Sequence, residues 1–167
     1  MQPADLIEFR RSGFVSAVLG GMLRLLDPEW DGWGWHVGIA WQFHYHGWYV
    51  LESRAGGPEI NWYPETWLKA NTRSHRWLDF IPDEDDLSSF LNRHIGKKYD
   101  VSIYFWTAFQ YLIRHFFNHR IPRLLDDRYT CWELAAEFYE ELGEPLQSKY
   151  DCPMLPDMIR ACKRIKE

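Results

Sequence analysis

The chain has little of what would mark several common classes of protein. Its three cysteines, Cys131, Cys152 and Cys162, are odd in number and show no CxxC spacing, which excludes a disulfide framework and a thiolate zinc site. Reduced thiols in a cytosolic setting fit that usage best. Lysine and arginine are not in excess. A net charge of -5, with bases scattered among acids, argues against a general binder of phosphate backbones, so no nucleic-acid partner is expected. There is no internal repeat, low-complexity linker or Pro/Gly-rich boundary, and a length of 167 residues suits one domain spanning 1–167.

Long apolar runs are short of what a membrane needs. Residues 101–119 fall below the ~20 apolar residues of a span and include Arg114. They read as a nearly buried amphipathic helix with Thr107, Gln110, Arg114 and Asn118 on a narrow polar stripe. Contact with a lipid surface through this helix is the alternative to burial. Residues 10–26 resemble a targeting signal, but Asp5 and Glu8 lie in the region that would have to be basic and no small-residue cleavage site follows. A helix over 12–26 of the mature fold is expected instead, and a cytoplasmic location with it.

Aromatic residues, in contrast, are abundant, with ten Trp, nine Tyr and ten Phe. They supply rigid apolar area to cores and clefts alike and do not choose between them.

The remaining pattern predicts an α+β fold. A short, partly alternating strand over 4–9, of the kind found at a sheet edge, precedes the helix over 12–26. The turn-rich DPEWDGWG leads into a strand beginning at His36, a hairpin forms around Gly47, and a second strand runs to Ser53 before AGGP closes it. Residues 61–70 read as an irregular or helical crossing, and HRWLDFI over 75–81 as another strand. Acids after Pro82 and a stop at Gly96 define a helix over 83–95. Thr130 is placed to cap a last clear helix, which Cys131 opens and Gly143 ends.

Cys131 on a first helical turn carries chemical weight. A thiol acts as a nucleophile only as thiolate, and a helix N-terminus with a nearby imidazolium lowers its pKa to about 3.5–7.5. The same turn offers backbone N–H groups to an oxyanion. Against this stands the ordinary fate of a free cysteine, a small buried core residue. His36, opening its strand after a Gly/Trp-rich turn, is the candidate base. Glu52, near the end of the antiparallel partner strand, is placed to orient the imidazole.

HVGIA, then VLES with its Gly-rich turn, then IGKKYD, then YTCWELAAEFYEELG, taken in that order, resemble the YiiX-like branch of the NlpC-type superfamily. The resemblance runs over residues 4–143 and implies a circularly permuted papain-like fold, an antiparallel sheet packed against helices. It implies Cys131 as nucleophile, His36 as base and Glu52 as orienting residue of a cysteine amidase or peptidase acting through an acyl-enzyme. Tyr99 and Asp100 match a recurring structural position of the family. Trp132, next to the cysteine where a serine-like residue is commoner, departs from it, as does the long aromatic stretch between Asp100 and Thr130. Lecithin:retinol acyltransferase relatives share the permutation but carry a second histidine in place of Glu52 and an Asn-Cys pair, where this chain has Thr130. A lipid-surface acyltransferase or phospholipase of that type, and a noncatalytic binding protein retaining the fold, are the rival readings.

Tyr129 is a candidate hydroxyl donor to an oxyanion. Trp35 and Trp132, with Trp33, Trp62 and Trp67, are candidates for an aromatic cleft around the site. The expected substrate is an amide- or ester-containing peptide, cell-wall fragment or lipid-like molecule. No cofactor or metal is expected: His44 and His46 sit at an exposed turn, His115 and His119 lack an HExxH pattern, and the DEDD run at 83–86 lacks the spacing of a calcium loop. Cys152 and Cys162 have no base nearby in sequence and read as structural thiols.

Overall fold

The computed structural model describes residues 1–10, 29–99, 128–146 and 155–164, together with Ala17, Gly21 and Arg24. Its centre is an antiparallel sheet of six strands: β1 (Leu6–Arg10), β2 (Gly34–His44), β3 (Gly47–Arg54), β4 (Gly57–Pro64), β5 (Thr72–Arg76) and β8 (Lys163–Arg164), in the order β4-β3-β2-β1-β5-β8. A small parallel pair, β6 (Lys98–Tyr99) and β7 (Arg128–Tyr129), lies beside β4. The helices are α1 (Glu65–Asn71), α2 (Glu84–His94), α3 (Cys131–Glu141) and α4 (Leu155–Ala161). The α+β class follows. Among the described residues no helix is long and apolar enough to cross a membrane.

Strand alternation divides the core in two. Leu6, Val37, Ile39 and Leu51 belong to one cluster with Leu134, Ala135, Phe138 and Tyr139 of α3. Their neighbours in sequence, Ile7, Ala40 and Val50, belong to a second cluster with Phe9, Trp48 and Leu68 of α1. The sheet is therefore buried on both faces.

Two hairpins set the register that matters for the site. The β2–β3 turn is Tyr45-His46, both with positive φ, 47° and 58°, the two left-handed residues that a tight turn matched to strand twist requires. At the β3–β4 turn, Gly57 has φ +107°, and a Cβ there would stand 1.9 Å from the Lys97 carbonyl oxygen. Only glycine lets this hairpin end meet the segment leading into β6.

Several expectations need correction. The first strand, expected at a sheet edge, is β1 and lies inside the sheet, paired with β2 on one side and β5 on the other. AGGP does not end the sheet: it turns the chain into β4, which takes up residues 61–64 of the stretch expected to be an irregular or helical crossing over 61–70, and the helical alternative holds from Glu65 as α1. Pro58 is tolerated because β4 is the edge strand, where a missing N–H need not break a ladder. The strand expected over 75–81 is instead the polar stretch Thr72–Arg76, and residues 77–81 leave the sheet. Pairing with β1 overrides propensity there, because buried His75 finds a partner in Glu8, with Nε2 at 2.9 Å from Oε2.

The helix expected over 83–95 is α2, capped by the Asp83 side chain, which accepts from the Asp86 N–H at 2.8 Å. Of the helix expected over 12–26, Ala17, Gly21 and Arg24 are described and helical. The helix expected over 101–119, with His115 and His119, lies outside the described residues, as do Asp100 and Cys152. Cys162 directly follows α4 and is buried, which pushes its thiol up to about 12.

Candidate active site

Thr130 builds the start of α3. Its hydroxyl accepts from the Glu133 N–H at 3.3 Å, while the Glu133 carboxylate accepts from both the Thr130 N–H and hydroxyl at 2.9 Å. This reciprocal capping box fixes where the helix begins, and hence where Cys131 stands. The T-x-x-E spacing was legible in sequence. Glu133, however, was not singled out there. Cys131 is 2% exposed.

The strands deliver the other two groups. Gly38 pairs with Glu52, so His36, two residues earlier on β2, is a diagonal neighbour of Glu52 on the same face. His36 Nε2 lies 2.6 Å from Glu52 Oε2. Gly38 keeps that crossing open: a Cβ there would meet Val50 Cγ1 at 2.6 Å and Glu52 Cβ at 3.3 Å.

Glu52 is fully buried and its carboxylate is saturated. Oε2 also faces Arg54 Nε at 3.0 Å, while Oε1 accepts from Tyr63 Oη at 2.6 Å and from Asn61 Nδ2 at 3.0 Å. Burial alone would raise its pKa, but the bonds to His36 and Tyr63 and the Arg54 charge prevail and bring it down to about 2. Arg54, Asn61 and Tyr63 were missed in the sequence. The signal was period-2 spacing: Arg54 is two residues beyond Glu52, and Glu59, Asn61 and Tyr63 alternate along a β4 that had not been recognised.

The ring of His36 completes the cluster. Nε2 is committed to Glu52, and the same imidazole also interacts with the Cys131 side chain. Burial lowers the imidazole pKa, yet the charge and hydrogen bond of Cys131, and then those of Glu52, outweigh it and raise it to about 9. Cys131, His36 and Glu52, far apart in sequence, thus converge. Cys131 also belongs to the core cluster, so burial and proximity to the imidazole coexist at this residue.

The aromatic candidates separate. The Trp35 ring lies 5.5 Å from that of His36, and Phe9 packs at 5.1 Å from it. Trp67, partly exposed, stacks on Tyr63 with centroids 5.0 Å apart. Trp132 is buried in the core around α3, so its indole packs the interior rather than lining an open cleft. Trp33 lies under the Arg73 guanidinium, and Trp62 donates to the His44 carbonyl at the far hairpin. Tyr129 sits in β7 directly before Thr130, and its side chain is outside the described residues. His44 and His46 occupy the exposed β2–β3 turn region.

No protein-family model matches the chain, and no curated protein matches it either.

Proposed function

We propose that this protein is a cysteine-dependent hydrolase of the permuted papain-like type, cleaving an amide or ester bond through an acyl-enzyme. One observation carries the reading: a single imidazole is held between a buried carboxylate and a thiol at a helix N-terminus.

In this mechanism His36 takes the Cys131 proton, and the thiolate attacks the carbonyl carbon. The electron pair of the C=O bond moves to oxygen, where first-turn N–H groups of α3 stabilise it. Collapse re-forms the carbonyl, and the His36 imidazolium protonates the leaving amine or alcohol. Water, deprotonated by His36, then attacks the thioester, and the thiol returns to Cys131 with release of the acid. Glu52 holds the imidazole in register and stabilises its charged form throughout. Trp35 and Trp67 offer aromatic surface beside this machinery, suited to an acyl chain or a sugar face.

The test is alkylation of Cys131 by iodoacetamide, followed by peptide mass spectrometry across a pH series in wild type and His36→Ala. Rapid labelling of Cys131 at about pH 6 that is lost in His36→Ala is the expected result. Labelling that follows an ordinary thiol titration, or that is unchanged in His36→Ala, would leave a noncatalytic protein that retains the fold.

A further inference from the structure

A second cluster of potential ligands lies at the opposite end of α3. His94 is the last residue of α2 and Glu141 the last of α3, with Glu137 one turn earlier on the same face. His94 is 2% exposed, and its ring stacks on Phe90 with centroids 4.0 Å apart. Its Nδ1 lies 2.8 Å from the Phe90 carbonyl oxygen. An N–H donated there puts the remaining lone pair on Nε2, which faces Glu137 Oε1 at 3.3 Å and Glu141 Oε1 at 3.9 Å.

We propose that His94, Glu137 and Glu141 form a zinc site that ties the C-terminal ends of α2 and α3 together. Three observations converge on a cation. The ligand atoms lie within 4.8 Å of one another, and tetrahedral Zn²⁺ with bonds of about 2.0–2.1 Å sets its ligands roughly 3.4 Å apart. The backbone carbonyl behind Nδ1 is the partner that orients a metal-binding imidazole. Two helix C-termini, each carrying negative partial charge, meet at the same point as the two carboxylates. Arg93 is an opposing cation, and it engages the other Glu141 oxygen, Oε2. The fourth position is left to water. With Glu141 ten residues beyond Cys131, the site stands about 15 Å along the helix from the thiol and takes no part in its chemistry. Its role is to anchor the helix that carries the nucleophile.

The experiment titrates ZnCl₂ into tag-free protein carrying Cys131→Ala, so that the thiol of the other cluster does not compete as a ligand. Calorimetry and thermal denaturation supply the readouts. One zinc per chain with a raised melting temperature is expected. The partly exposed positions provide the controls: Glu137→Gln and Glu141→Gln should each weaken binding at least about tenfold while the protein stays folded by circular dichroism. Absence of saturable binding in the Cys131→Ala protein, or binding that neither glutamine substitution changes, would overturn the site and leave an imidazole paired with two carboxylates.

Discussion

His36 Nε2 and Glu52 Oε2 stand 2.6 Å apart in a part of the sheet where both side chains are buried. Glu52 does not depend on His36 alone. Donors from Arg54, Asn61 and Tyr63 hold the carboxylate from β3 and β4, so the imidazole meets an anion already fixed in place. That arrangement resembles the positioning of a metal-free catalytic imidazole by a carboxylate, where orientation and charge act together.

Replacing Glu52 by Gln removes the anion and keeps the shape. The His36 imidazolium loses its buried counter-charge, so Cys131 alkylation at mildly acid pH should fall by about 10²-fold, within the range that acid–base positioning supplies. Stability should fall by about 3 kcal/mol, because a buried ion pair has lost one partner while half-exposed Arg54 regains water. Denaturant unfolding of the variant checks the second figure independently of the first.

The pair also sets a pH window. The His36 pKa is raised from 6.5 to about 9, so its contribution to stability is complete below 6.5 and is lost as pH rises through about 9. Glu52 is lowered from 4.5 to about 2, so its contribution is complete above 4.5 and is lost as pH falls through about 2. Together they predict a maximum between pH 4.5 and 6.5 in the difference in unfolding free energy between wild type and a His36→Ala, Glu52→Ala double variant. A flat difference across the series would separate the pair from stability.

Gly38→Ala tests the crossing between the two strands. The added methyl must displace Val50 or Glu52, at a cost of about 1–3 kcal/mol, and any shift of Glu52 moves His36 with it. The expected signature is a loss of Cys131 reactivity larger than the loss of stability explains. Gly21→Ala, at a helical position with nothing within 4 Å of the new Cβ, is the contrasting control.

Thr130 supplies the remaining constraint. Thr130→Ala breaks the capping box and should destabilise the protein by about 1 kcal/mol, while Thr130→Ser retains the hydroxyl and should restore most of it. Parallel recovery of Cys131 labelling rate in Thr130→Ser would tie the cap to the position of the thiol.

Local chemistry in the sequence determined the α+β composition, the hairpin between β2 and β3, the acid-started helix α2 and the capped start of α3. It also singled out Cys131, His36 and Glu52, because helix starts, turn residues and strand alternation act over a few neighbours. It did not determine β4, whose Pro58 is tolerated only at a sheet edge, or β5, whose polar residues are buried because β1 supplies His75 with Glu8. Nor could it assign Arg54, Asn61 and Tyr63 to Glu52, or His94 to Glu137 and Glu141, since those contacts exist only across strands and between helices. Tertiary structure decided them because a buried charge is tolerable only when its partners arrive from elsewhere in the chain.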